Sequence, residues 1–470
     1  MYDVAIIGAG MSGLAAGIRL AHFGQRVCIL ERHTTIGGLN SFYRLDGRNF
    51  DVGLHAVTNY QRKGAKQGPL PRLLRQLRFG WEEFELSPQR GSSIAFPNMR
   101  LRFSNDFELF RAEVAREFPS QIDGLDRLVS QLVGYDELDR PEIRVSSREV
   151  VAQYLSDPLL IEMLYCPLLY YGSASPHDME WGHFSVMFRS VLLEGFSRPF
   201  DGVRRILKLL TRRYKERGGE LRLRAGVSRI VVNGDAVASI ELDDGSSIQA
   251  RQVLSSVGWC ETMRLCAQNP NSEPAPQPIQ QTAPGRLSFI ESISLLDRQP
   301  TELGHNETIV FFNDCDKFHW EEPATELADV RSGVICSPNN FLYPDGQQLD
   351  EGVVRITALA HYDRWRALNE PDYRAAKAEW YERMTASAVR FVPDFRPHTV
   401  AIDMFTPTTI QRFTWHDNGA VYGAPQKRLE GTAHLYNLFV CGTDQGGVGI
   451  IGAMMSGVLM ANKHCLAATL

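Results

Sequence analysis

The sequence predicts an α/β fold, in which a Rossmann-like nucleotide-binding domain is interleaved with a mixed α+β domain. Three observations predict it. A β-rich run, YDVAII, begins at Tyr2 and leads directly into a GxGxxG. A helical stretch and a second β-rich run ending in an acid follow. Near the far end a strand, a glycine-rich loop and a helical stretch recur.

The glycines are Gly8, Gly10 and Gly13, with Met11 and Ser12 between the last two. The first permits a tight turn and the second lets backbone N–H groups approach a pyrophosphate. The third lets the helix pack close to the strand. After them, LAAGIRLAHFG places Leu14, Ile18 and Ala21 on one helical face. The N-terminus of that helix would offer unpaired donors and a positive dipole end to phosphates. The next β run, Arg26–Leu30, ends at Glu31, where a ribose-binding acid belongs, about 20 residues on.

Residues 435–441, LYNLFVC, read as a strand, followed by Gly442-Thr443-Asp444-Gln445-Gly446-Gly447-Val448-Gly449-Ile450-Ile451-Gly452 and the helical AMMSGVLMAN. Gly447, Gly449 and Gly452 spell GxGxxG again. Only 18 residues follow Gly452, too few for a second strand with its acid. The segment is therefore expected to serve the first nucleotide site.

Composition bounds the rest. Lys+Arg 50 against Asp+Glu 55 leaves no basic field for nucleic acid. No apolar run is long enough to span a bilayer. Eight scattered cysteines, with no CxxC and no zinc spacing, predict no metal site and fit a reducing compartment. The N-terminal run, with acidic Asp3 and early glycines, does not read as a signal peptide, so a cytoplasmic protein is expected. Between the termini, GVRRILKLLTRRYKERGG from Gly202 reads as a helix. A meander with hairpin turns at 233–235 and 243–245 follows, ending at Ser255-Ser256. Residues 69–79, PLPRLLRQLRF, form a basic amphipathic helix. It would either lie on an anionic membrane surface or pack Leu70, Leu73, Leu74 and Leu77 into the substrate domain, the favoured reading. The aromatic stretches around Tyr165–Phe188 and Phe289–Trp320 read as core more readily than as pocket.

Further motifs narrow the cofactor. Glu31-Arg32 is followed by Gly37-Gly38-Leu39, and later by Asp51-Val52-Gly53-Leu54-His55. Thr406-Pro407-Thr408-Thr409 precedes Gly419-Ala420-Val421-Tyr422-Gly423. With the terminal loops, this pattern resembles the FAD-dependent phytoene desaturase, carotenoid desaturase-isomerase and retinol saturase-like family of the flavin amine oxidase superfamily. The resemblance implies a glutathione-reductase-type FAD-binding domain. It implies that Gly38, Leu39, Gly53 and Leu54 run beside the flavin's ribityl chain and ring, and that Val227 contacts the adenine through its backbone. It gives Asp444 a role near the pyrophosphate–ribityl junction, with Gly452 and Ala453 donating N–H groups. The D-x-G-x-H form is closer to the saturase and isomerase branch, so His55 would face flavin or substrate; a plain hydrogen bond to a neighbouring carbonyl is equally open. Cys441 precedes the glycine loop, so FAD is expected to be non-covalent.

The resulting expectations are specific. Residues 1–75, 200–287 and 400–470 form the FAD domain, and 76–199 with 288–399 the substrate domain. Cofactor contacts come from Gly8, Gly10, Ser12, Gly13, Glu31, Arg32, Gly38, Leu39, Gly53, Leu54, Val227, Asp444, Gly452 and Ala453, with His55 as the candidate catalytic residue. The reaction is desaturation of a carotenoid or related isoprenoid by hydride transfer to flavin N5, with quinone or oxygen as electron acceptor. Saturation or isomerisation of a polyene and amine oxidation stay open, as does a non-enzymatic lipid escort of the same fold, as in Rab GDP-dissociation inhibitors. Nucleic acid is excluded as a partner. A peripheral place on the inner face of a membrane is compatible with these expectations.

Overall fold

The computed structural model describes residues 1–135, 145–267 and 283–467. Tyr2–Ile7 lies at the centre of a five-stranded parallel sheet. Val27–Leu30 and Glu220–Arg222 lie on one side of it, Ala250–Ser255 and Leu438–Val440 on the other. A parallel sheet must be covered on both faces, and the alternation along Tyr2–Ile7 shows how. Val4 and Ile6 face the helices Met11–His22, Val203–Glu216 and Gly449–Met460. Ala5 and Ile7 face the three-stranded meander of Val227–Asn233, Ala236–Leu242 and Ser247–Ile248.

The expected amphipathic face of the first helix, Leu14, Ile18 and Ala21, is buried, but so are Ala15, Ala16 and Leu20. The reason is tertiary: the C-terminal helix Gly449–Met460 lies across it. A Cβ on Gly457 would stand 2.0 Å from the Ser12 carbonyl oxygen, so the two backbones meet with no side chain between them. The C-terminal strand is shorter than the expected 435–441. Asn437 instead turns its side chain onto the meander, with its Oδ1 accepting from the Val237 N–H at 2.8 Å. The leucines of Pro69–Leu77 are buried in one core with Ile18 and Met454, rather than in the substrate domain expected for them.

The second sheet has seven strands, in the order Thr399–Phe405, Ser288–Leu296, Gly352–Ala360, Ala328–Cys336, Ile309–Asn313, Ser92–Phe96 and Met99–Phe103. One face packs on Pro158–Gly172 and Trp181–Phe188 through an aromatic core including Phe311, Phe184 and Phe188. The other packs on Glu370–Ala388 through Trp380 and Met384. Asp157 caps the first of these helices, accepting from the Leu160 N–H, with Pro158 in the first turn where its missing donor costs nothing. The antiparallel register sets Glu291 opposite Thr357 and Ile293 opposite Arg355, so Thr357 and Arg355 share one face.

The Gly457 contact is with backbone and cannot be relieved by a rotamer change. Gly457→Ala should therefore destabilise the fold by about 1–3 kcal/mol, read as a lower melting temperature. Gly134→Ala, on a helix with nothing within 4 Å of the added methyl, should cost nothing.

Candidate functional site

A cavity of about 1310 Å³ runs from the Gly8 loop to the face of the seven-stranded sheet. At its nucleotide end the chain supplies backbone rather than side chains. Gly8 takes φ +96° and donates its N–H to the Leu30 carbonyl at 2.8 Å. A Cβ on Gly13 would lie 2.1 Å from the Gly8 carbonyl oxygen, which fixes the helix against the strand. A Cβ on Gly10 would meet no protein atom within 4 Å, so the space in front of this backbone is left open. The helices starting at Met11 and Gly449 both lack a side-chain cap, and Gly10, Met11, Val448 and Gly449 all line the cavity. Two uncapped helix N-termini beside one open space make an anion site, which fits the pyrophosphate of a dinucleotide.

Glu31 is buried, and its carboxylate accepts from the Ala9 and His33 N–H groups, both at 2.9 Å. It braces the glycine loop while lining the cavity, with lone pairs left for a ribose hydroxyl. Arg32 donates to the Val227 carbonyl at 2.8 Å and lies over the Trp415 ring at 4.7 Å, so it ties the meander to the loop. Gly37 donates its N–H to the Ala9 carbonyl, setting Gly38 and Leu39 beside the first loop. A Cβ on Gly53 would lie 2.7 Å from the Leu39 carbonyl oxygen, so these two segments also touch through backbone.

Most of the expected contacts line the cavity: Gly8, Gly10, Ser12, Glu31, Arg32, Gly38, Leu39, Gly53, His55, Val227, Gly452 and Ala453. Gly13, Leu54 and Asp444 do not. Gly13 acts by packing. The Leu54 side chain is in the core, while its carbonyl accepts from Arg198 and Arg355 at 2.7 and 2.9 Å. Asp444 is turned away: its oxygens accept from the Trp259 N–H at 2.5 Å and the Ala424 N–H at 2.7 Å. Thr443, one residue earlier, faces the cavity instead.

The other end of the cavity holds a buried polar cluster. His55 Nε2 stands 3.2 Å from Glu291 Oε2 and 3.1 Å from Thr357 Oγ1. Arg355 Nε donates to Glu291 Oε1 at 2.5 Å, and its other nitrogens donate to the Val52 and Leu54 carbonyls. Arg198 pairs with Asp51 and also donates to the His55 carbonyl at 3.3 Å. Glu291 and Arg355 are each nearly sealed from solvent. Against the desolvation that burial imposes, Arg355 and His55 hold the Glu291 carboxyl below its usual range. Burial pushes the His55 imidazole below its usual value despite the pull of Glu291. An ionised carboxylate only accepts, so the assigned tautomer puts the hydrogen on Nε2 and leaves Nδ1 as the ring's acceptor.

Sequence reasoning missed Glu291, Thr357, Arg355 and Arg198. A signal existed for the charged strand residues: a lone Glu in LSFIESISLL and a lone Arg in VVRITALA interrupt otherwise buried runs. Around this cluster the cavity is apolar, lined by Tyr170, Tyr171, Met187, Phe289, Val421 and Tyr422. Part of the aromatic block is therefore pocket, while Trp320, Phe184 and Phe311 are core, as the composition favoured. No cysteine is among the lining residues described, and the Cys441 thiol is buried, its pKa pushed up to about 12.

A family model described as "Flavin containing amine oxidoreductase" matches residues 11–463. Prolycopene isomerase from Arabidopsis thaliana is 22% identical, over 98% of this chain and 82% of its own. 4,4'-Diapolycopene oxygenase from a Methylomonas species is 24% identical, over 98% of this chain and 97% of its own. The crystal structure of an oxidoreductase from Methanosarcina mazei superposes with a TM-score of 0.67 at 17% identity, covering 98% and 99% of the two chains. The chain belongs to the flavin-containing amine oxidoreductase family, and it is an FAD-dependent oxidoreductase.

The open space at Gly10 and the backbone contact at Gly13 separate binding from folding. Gly10→Ala should leave the melting temperature of the FAD-free protein unchanged and weaken FAD binding about tenfold or more, the overpacking cost of a methyl at a backbone–phosphate contact. Gly13→Ala should lower both, because its methyl meets Gly8 whether or not FAD is bound. Thermal melts and FAD titration of the two variants read the difference.

Proposed function

We propose that this member of the family acts on a carotenoid or related isoprenoid chain, introducing double bonds, with saturation or isomerisation of the same polyene as the second reading. The supporting observation is the apolar wall of Tyr170, Tyr171, Met187, Phe289, Val421 and Tyr422, continuous with His55 in one cavity. Such a wall suits a long hydrocarbon held by area rather than by polar contacts. The buried carboxylate at this end, Glu291, bonds Arg355 and His55 and is not free to pair with an ammonium group. The similarity to a prolycopene isomerase and a diapolycopene oxygenase supports the same substrate class.

FAD, when bound, supplies the hydride acceptor. Gly8, Gly10, Ser12, Glu31, Gly38, Gly452 and Ala453 would hold it without a covalent link, with Thr443 facing the cavity where Asp444 was expected to. Gly13 and Arg32 would brace that site, Val227 would border the adenine, and Leu39 and Gly53 the ring. The aromatic wall excludes water and orients the chain, and His55 takes the proton lost from the carbon next to the hydride donor. Quinone or oxygen returns the enzyme to its oxidised form. Segments 1–75, 200–287 and 400–470 act as the cofactor domain. Segments 76–199 and 288–399 act as the substrate domain, whose sheet runs on through Phe405.

Lys66, Arg72, Arg75, Val133 and Leu459 line the cavity and are exposed, so they belong to its rim. Val133 and Leu459 are 62% and 44% exposed. We infer that this rim rests on the anionic surface of a membrane facing the cytoplasm, so that a lipid-borne substrate enters without crossing water. The leucines of Pro69–Leu77 are buried and do not insert. Among the described residues, no helix is long and apolar enough to cross a membrane.

Two measurements check these readings. Adding an apolar polyene to the holoenzyme without oxygen should bleach the flavin absorbance if the protein desaturates. An unchanged spectrum with altered double-bond geometry marks isomerisation, and no product of either kind removes the proposal. Co-sedimentation with phosphatidylglycerol-containing vesicles should exceed that with phosphatidylcholine alone and fall in Arg72→Glu/Arg75→Glu. Equal binding to both would remove the membrane reading and leave the polyene reading intact.

A further inference from the structure

The charged groups packed around His55 are balanced. Asp51 pairs with Arg198 and Glu291 with Arg355, so the four formal charges cancel. His55 is packed by groups from several elements. Glu291, Thr357 and Arg355 come from the seven-stranded sheet, and Arg198 from Ser197–Pro199. Tyr171 lies with its ring 6.4 Å away, and the Cys336 thiol donates to the His55 carbonyl at 3.8 Å. Burial pushes the Cys336 thiol up to about 12 and the Tyr171 phenol well above its usual value, so neither titrates near neutrality. Among these groups, only His55 can change charge there.

Its chemistry suits that change. Nε2 is committed to Glu291, and Glu291 is locked by Arg355, so an imidazolium formed by adding a proton at Nδ1 would face a carboxylate already in place. In the resting state burial opposes charging of the ring. A negative charge arriving in the adjoining cavity would reverse that preference, because an opposite charge a few ångströms away favours the charged form.

The geometry points to His55 as a redox-linked proton store: it takes up one proton for each electron pair that enters the bound cofactor. The inference rests on the flavoenzyme reading of this site and deepens it. In desaturation, one substrate C–H bond breaks with its electron pair leaving as hydride to the isoalloxazine. The neighbouring C–H bond breaks heterolytically: its proton goes to His55 Nδ1, and its electron pair becomes the new C=C bond. The reduced ring holds one negative charge and the imidazolium one positive charge, so the site stays neutral. Glu291 is a positioning residue here, acting through the imidazole.

The test needs no substrate. The midpoint potential of the purified holoenzyme is measured against pH around neutrality by dye equilibration, and its slope gives protons taken up per electron pair. The wild type should take up two, and His55→Gln one, with FAD retained in both as judged by the oxidised flavin spectrum. Glu291→Gln should move the two-proton region to lower pH, which a purely structural carboxylate would not do. A wild-type slope of one proton, or equal slopes in wild type and His55→Gln, overturns the proposal and leaves the flavoenzyme reading standing. A wild-type preparation that binds no flavin overturns both. If His55→Gln does not fold, His55→Asn serves as the comparison.

Discussion

Arg355 ties the seven-stranded sheet to the turn at Val52–Leu54. Its strand belongs to the seven-stranded sheet, yet two of its nitrogens hold the Val52 and Leu54 carbonyls of the turn that follows the nucleotide motif. The third holds Glu291, and Glu291 holds His55. A guanidinium buried this deeply is tolerable only when paired and hydrogen-bonded, and removing one member of such a pair costs about 3–5 kcal/mol. The cofactor end and the substrate end of the cavity therefore keep their relative position through one side chain whose alternatives are expensive.

The two ends of the cavity use different physics. At the nucleotide end the chain withholds side chains. Gly10 leaves space, Gly13 and Gly457 allow backbones to touch, and two helix N-termini are left uncapped. Binding there is carried by dipoles and N–H groups whose placement follows from the chain path. At the other end, side chains from distant segments converge on one histidine, and their charges cancel. The first arrangement suits a ligand that stays bound. The second suits a centre at which charge appears during reaction, because a site that starts neutral can stabilise one new pair of charges.

Legibility in the sequence followed the same division. The loop at Gly8–Gly13 and the acid at Glu31 were readable because each is a local backbone requirement carried by adjacent residues. Glu291 and Arg355 were not, because their meeting depends on the register between two strands far apart in sequence. The C-terminal loop lay between these cases. Its glycines marked it as a ligand loop, but whether Thr443 or Asp444 faces inward depends on two amides, of Trp259 and Ala424, that the aspartate caps instead.

The amino-acid sequence by itself determined the class of fold and the two glycine-rich loops that line one cavity. These follow from period and glycine spacing, which act over a few residues. The tertiary structure decided which of the aromatic residues line a cavity, that the leucines of Pro69–Leu77 lie in the core, and that His55 is held by Glu291 and Arg355. Those outcomes depend on packing and strand register, since burial and hydrogen bonding are satisfied by neighbours in space.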